Sequence, residues 1–320
     1  MARPAAIRSC GGGLNATPSS LRILGVGHAA LDHQFTIQAF PPHPTKTAAD
    51  TYLSGVGGMT ANACVAAARL GARVRIASPV GDDAGAVFME AYFRREEVDP
   101  GGLVRVAGAR SSVAAVIVDA QGQRLIVSHR GDALRLAPAL DVSQVDHADV
   151  LLTDPRCLSW AQAALERARA LGRLSILDGD VAPLQDLELL VGLCTWAVFS
   201  RPGLEAFRPG PVEQGLAAAL AAGAEVAVVT QDDQPVWWQR RGGPVCRLVP
   251  FAVQPVVDTT AAGDTFHGAL AVALGEGGTD EQALRFAAAA AALKCLQPGG
   301  VAGAPRRPEV DRLLKSAHRP

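Results

Sequence analysis

Val257-Asp258-Thr259-Thr260-Ala261-Ala262-Gly263-Asp264-Thr265-Phe266-His267-Gly268-Ala269-Leu270 runs from two hydroxyls through small residues and an acid straight into an Ala/Leu-rich helical pattern. The first turn of a helix leaves N–H groups without intrahelical partners, and the helix dipole adds positive potential there. Small side chains at such a start leave an anion site open. An acid in that place repels a phosphate, unless Asp264 takes a proton from a hydroxyl while Ala262 and Gly263 hold the group moving onto it. The pattern predicts phosphoryl transfer. Its competitor is a plain helix start, with Asp264 complementing the dipole and Gly263 easing a turn.

The rest of the chain supplies a scaffold for such a site. Apolar strand-like runs occur at 21–27, 74–78, 150–153, 174–177, 196–200 and 226–230, with helical stretches at 60–70, 160–171 and 214–221. This alternation predicts an α/β fold, a mostly parallel central sheet with helices on both faces. Sites in such sheets lie beyond the C-terminal strand ends, which here are Gly25/Gly27, Asp154, Asp178/Asp180 and Thr230. Residues 34–53 and 111–129 break the rhythm with β-branched alternation and a Gln121-Gly122 turn. They are read as antiparallel strands outside the main sheet, forming a small lid.

Bulk properties exclude several classes. A formal net charge of −1 draws the chain neither to nucleic acid nor to an anionic membrane. No apolar run approaches the length of a membrane span. Residues 1–20 lack an apolar core, so they are expected to be a disordered extension and not a signal peptide. The six cysteines are scattered without zinc spacing, which fits a reduced, cytoplasmic protein.

Gly55-Val56-Gly57-Gly58-Met59-Thr60-Ala61-Asn62-Ala63, followed by Ala66-Ala67-Ala68-Arg69-Leu70-Gly71, is a glycine pair opening a helix. It resembles the first motif of the PfkB/ribokinase family, Gly-Gly-x-x-x-Asn-x-Ala. The opening stretch resembles the family's second motif, Asp-Thr-x-Ala-Ala-Gly-Asp-x-Phe-x-Gly-Ala-Leu. Both occur in order, about two hundred residues apart. The resemblance runs from Leu21 to the C-terminus and implies a ribokinase-like three-layer α/β/α sandwich with a β lid. Within the family it is similar to the sulfofructose kinases, on the stretches 150–156, 176–183, 266–272 and 291–300, with ketohexokinase further off.

The resemblance implies roles residue by residue. Asp264 would be the base, and Ala261, Ala262 and Gly263 the anion hole. Asp32 would grip sugar hydroxyls, with Gly57, Gly58 and Asn62 lining the sugar site. Lys46 and Arg156 match the cations that hold the sulfonate in sulfofructose kinases. Ser128 stands where those kinases carry an asparagine, and Asn62 where they carry a small residue. On the nucleotide side, Ser200 and Thr230 occupy the relevant positions, beside Gly263. The family's Asn-x-x-Glu is replaced by Ser200-Arg201-Pro202-Gly203, and its Thr-x-Gly by Thr230-Gln231-Asp232. Asp258 and the Thr260 carbonyl match its monovalent-cation site.

The expected activity is transfer of the γ-phosphoryl group of ATP, with Mg2+ and possible K+, to a primary hydroxyl of a ketose-type sugar. The preferred acceptor is 6-deoxy-6-sulfofructose at its 1-hydroxyl; a plain ketose, a pentose or a nucleoside are the alternatives. A sugar-binding regulatory protein on the same scaffold is the reading from another class. Asp232 and the missing Asn-x-x-Glu favour it, and the intact Asp264 opposes it. Exposed lid strands predict a homodimer.

Overall fold

The computed structural model describes residues 21–317, so the extension read over 1–20 lies outside the described residues. Thirteen strands are described: β1 (Arg22–Val26), β2 (Ala30–Thr36), β3 (Thr51–Gly57), β4 (Arg73–Gly81), β5 (Val98–Val106), β6 (Ser112–Val118), β7 (Arg124–His129), β8 (Val150–Thr153), β9 (Leu174–Gly179), β10 (Trp196–Ser200), β11 (Val226–Gln231), β12 (Gln234–Arg240) and β13 (Val245–Leu248). The helices are α1 (Met59–Arg69), α2 (Ala84–Arg95), α3 (Ser143–Asp146), α4 (Leu158–Ala170), α5 (Leu184–Val191), α6 (Arg201–Phe207), α7 (Val212–Ala222), α8 (Ala262–Gly275), α9 (Asp280–Lys294) and α10 (Arg307–Ser316).

Nine strands form the main sheet in the order β13-β12-β11-β10-β9-β8-β1-β4-β5. From β5 through β11 every pairing is parallel; only the β11–β12 and β12–β13 pairings are antiparallel. Alternation along each strand splits the core in two. Ile23, Leu152, Ile176 and Val198 pack with α1, α8 and α9, whereas Leu24, Leu151, Leu177 and Phe199 pack with α4, α5 and α7. This is the three-layer sandwich expected from the alternating pattern. The strand β5 carries Pro100 and two glycines, which hid it from a propensity reading; it lies at the sheet edge, where proline is tolerated.

The second sheet has the order β3-β2-β6-β7. Its β2–β3 and β6–β7 pairs are antiparallel as expected, but β2 and β6 pair in parallel. The reason is topological: two hairpins far apart in sequence meet through their inner strands. The strands also begin earlier than expected: β2 starts at Ala30, directly after β1, and residues 37–50 form a connection without strand. Thus β1 passes into the lid, β3 passes into α1, and the lid rises from the C-terminal ends of the parallel strands.

No helix among the described residues is long and apolar enough to cross a membrane. Cys64, Cys157, Cys194, Cys246 and Cys295 are free thiols.

Candidate active site

Helix α8 begins without a side-chain cap. Its N-cap, Ala261, adopts the left-handed conformation with φ of 61°. Gly263 has a different reason to be glycine: a Cβ there would meet nothing within 4 Å. Neither positive φ nor internal packing requires it, so its missing side chain leaves space for a ligand. The Ala262 N–H, expected to be bare, donates to Thr259 O at 3.2 Å. The left-handed turn at Ala261 folds it back. The N–H groups of Gly263 and Asp264 have no acceptor among the described residues, so the bare donors lie one residue further along than the sequence suggests.

Asp264 receives a hydrogen bond from Asn62 Nδ2 at 2.7 Å. That contact depends on close helix packing: a Cβ on Gly268 would come within 2.3 Å of Ala63 O. Glycine therefore lets α8 approach α1 and places Asn62 against the acid. Burial pushes the Asp264 carboxyl up to about 8, the neighbouring Asp178 carboxyl adds to this, and the Asn62 bond offsets part of it. A base is most effective when its pKa lies near the working pH. Asp178 is itself held well above the carboxylate range by burial and by Asp180. His267, one turn into α8, lies with Nδ1 2.8 Å from Gly263 O.

On the lid side, the Asp32 carboxyl lies directly over Gly57; a Cβ there would meet it at 2.1 Å. Burial raises its pKa to about 6. Gly58 has φ of 92° and starts α1. Asp32 and the two motif glycines are thus neighbours at the start of α1.

At the strand ends, Asp154 is fully buried and gathers four donors: His28 N at 2.8 Å, Thr60 Oγ1 at 2.6 Å, Thr60 N at 3.3 Å and Arg156 N at 2.8 Å. It ties the ends of β1 and β8 to the start of α1. Arg156 donates to Asp180 Oδ2 at 3.0 Å and to Val181 O at 2.8 Å, and its side chain is 16% exposed. Asp180 also accepts from Ser200 Oγ at 2.9 Å, and Ser200 in turn caps α6. Thr230 Oγ1 donates to Phe199 O at 3.3 Å. Burial lowers the pKa of the His28 imidazole, Asp154 opposes this, and both Arg156 and Arg130 add to the lowering. Its Nε2 is buried without a partner. The Arg156 and Arg130 charges thus both act on this imidazole.

Lys46 is exposed on the 37–50 connection and makes no hydrogen bond or ion pair with a described residue; Ser128 is exposed on β7. Neither is hydrogen-bonded or ion-paired to Arg156, whose partners are Asp180 and Val181. Asp258 is buried, and its Oδ2 accepts from the N–H groups of Gly299 and Gly300 at 3.0 and 3.1 Å. Its partners include Lys294, which is wholly buried. The lid touches this loop through Gln34 Nε2 to Asp258 Oδ2 at 3.5 Å and Arg124 Nη1 to Thr259 Oγ1 at 3.2 Å.

Sequence reasoning noted Asp154, Asp178 and Asp180 only as strand ends and gave His28, Arg130, His267 and Lys294 no role. The acids carried a signal, three carboxylates at strand C-termini. The others carried none, since a histidine or lysine in an apolar helix shows no partner until the chain is folded.

A doubly covered parallel sheet with a carboxylate among free N–H groups at a helix start defines a phosphotransferase acting on an alcohol. The chain belongs to the pfkB family of carbohydrate kinases, whose pattern matches residues 21–307. It is 30% identical over 294 residues to the ribokinase of Bacillus subtilis, covering 90% of this chain and 98% of that one. It is likewise 30% identical over 298 residues to fructokinase-1 of Oryza sativa, covering 84% and 91%. The fold matches a candidate ribokinase from Agrobacterium tumefaciens with a TM-score of 0.90 at 33% identity, over 94% of this chain and 100% of that one. The Arabidopsis thaliana ribokinase complexed with ribose and ATP gives a TM-score of 0.81 at 25% identity, over 93% and 99%.

Proposed function

We propose that this kinase transfers the γ-phosphoryl group of ATP to a primary hydroxyl of a ketose-type sugar, with 6-deoxy-6-sulfofructose, phosphorylated at its 1-hydroxyl, as the acceptor. The observation that carries the transfer is Asp264, held by Asn62 at 2.7 Å beside the free Gly263 and Asp264 N–H groups. Asp264 takes the hydroxyl proton as the sugar oxygen bonds to phosphorus and the bridging oxygen leaves with ADP. The developing charge meets the N–H groups and the helix dipole, so catalysis is chiefly positioning and electrostatics. Asp32 and the unpartnered Oδ1 of Asn62 offer acceptors for sugar hydroxyls.

Mg2+, bound with the nucleotide, would neutralise phosphate charge and keeps most of its water. Asp178 and Asp180 are the carboxylates that would meet its water shell.

The sulfonate reading is supported by Arg156 and Arg130, whose charges both reach the His28 imidazole beside Asp154, since planar guanidinium groups suit such an anion. A plain ketose or pentose is the second reading. It is favoured by the Arg156–Asp180 pair, which already occupies part of that guanidinium, and by the ribokinase and fructokinase relatives. The ratio of kcat/KM for sulfofructose over fructose and ribose decides between them; a ratio near one removes the sulfosugar reading. A homodimer through the lid is proposed from the apolar outer strands, where Tyr52, Leu53, Leu125, Ile126 and Val127 are 49–61% exposed.

A further inference from the structure

Lys294 ends α9 and is 0% exposed. A lysine is almost never fully buried without partners that repay its lost hydration. Its Nζ donates to Asp258 O at 2.7 Å and to Gln297 O at 3.1 Å, and lies 3.3 Å from Asp258 Oδ2. An ammonium has three protons, and three oxygens surround this one. Burial lowers its pKa and Asp258 opposes that. Burial would likewise raise the Asp258 carboxyl, but the ammonium and the N–H groups of Gly300 and Thr260 outweigh it and hold the group below its ordinary value.

These contacts lock two segments. Asp258 Oδ1 accepts from Thr260 N at 2.8 Å, and Thr259 O holds the Ala262 N–H at 3.2 Å. The ammonium is therefore linked, through Asp258 and the 258–262 turn, to the bare N–H groups at the start of α8. A free monovalent cation at Asp258 and the Thr260 carbonyl, implied by the family resemblance, does not fit this arrangement. The Asp258 oxygens such an ion would need already face a positive charge, and a second cation a few ångströms away would be repelled.

We infer that the Lys294 ammonium is a tethered internal cation that sets the anion hole, so that phosphoryl transfer by this enzyme is independent of potassium. Lys294 is a positioning residue: it acts through the 258–262 turn and is placed away from the reacting atoms.

The test does not depend on which sugar is accepted. Turnover is measured with ATP and whichever sugar is phosphorylated fastest, in matched KCl, NaCl and N-methylglucamine chloride. The wild-type kcat is expected to vary by about twofold or less; greater stimulation by K+ overturns the inference. Lys294→Ala is expected to lose at least about tenfold in kcat with little change in sugar KM, and to regain at least about threefold in K+ or NH4+. Lys294→Met, which fills the space with an apolar chain, is expected to lose kcat without that recovery. A Lys294→Ala variant as active as wild type, or one that no cation restores, overturns the inference. A readout without turnover accompanies these: K+ should raise the thermal midpoint of Lys294→Ala above that in Na+ and leave wild type unmoved. Where the alanine variant does not fold, the wild-type cation series decides alone.

Discussion

Asn62 Nδ2 lies 2.7 Å from Asp264 Oδ2, joining two residues 202 positions apart in the chain. The amide both aims the carboxylate and holds its pKa below what burial and Asp178 would otherwise impose. Asn62→Ala should therefore lower kcat by about tenfold, from the loss of a hydrogen bond to a charged group. It should also move the acid limb of kcat/KM to higher pH, because the base becomes harder to ionise. A pH–rate profile checks both; an unshifted limb would mean that Asn62 does not tune the base.

Asp264→Asn should leave sugar and nucleotide binding nearly intact and reduce kcat by roughly 10²–10⁴-fold, the range of a general base. Stability provides an independent sign. The carboxyl titrates at about 8 in the folded protein, against 3.8 for an unperturbed aspartate. Between those values the folded state holds a proton that the unfolded state has released, so stability falls as pH rises through this window. Asp264→Asn removes that loss. Its thermal midpoint should gain on wild type as pH rises from roughly 5 to roughly 8, the upper part of that window, as a calorimetric pH series would record.

Gly263→Val tests whether the space above the α8 start belongs to a ligand. A Cβ there meets no protein atom within 4 Å, so the fold should survive while a branched side chain crowds the incoming phosphate. Circular dichroism should be unchanged and turnover lost. Normal phosphorylation by this variant would place the phosphoryl group elsewhere.

Arg156→Ala should separate the two acceptor readings. With a sulfonated sugar, the loss of a charge-assisted contact worth about 1.5–3 kcal/mol costs roughly 10- to 100-fold in kcat/KM. Plain fructose, with no anion at that end, should be affected far less. The Asp180 partner is left without its guanidinium, and any damage from that affects both sugars alike. The ratio of the two kcat/KM values is accordingly the quantity to compare between wild type and variant.

Val127→Lys addresses the proposed dimer. Val127 is 61% exposed on β7, an edge of the lid sheet. A charge on an edge strand blocks pairing with another edge. Light scattering should show a dimer for wild type and a monomer for the variant; equal masses would remove the lid from the interface.

Residue type and spacing were enough for the layered fold and the two motifs. Continuous apolar runs along β1, β8, β9 and β10 send successive residues to opposite helix layers whatever the tertiary detail, and glycine before a helix start is a local requirement. Asp264, Gly57 and Gly58 were legible for that reason. Features that depend on distant segments meeting emerged only on folding. The parallel β2–β6 pairing joins two hairpins whose order no local period encodes. The Ala262 N–H is consumed by a left-handed turn at a non-glycine residue. Arg156 reads as a free cation until Asp180, 24 residues on, folds against it. Lys294 looks like an ordinary basic residue ending a helix, and only burial against Asp258 and Gln297 makes its charge the fixed centre of a loop. Local chemistry is written in residue type and spacing, whereas partnership across the chain is fixed only when packing has removed the water that would otherwise solvate each group.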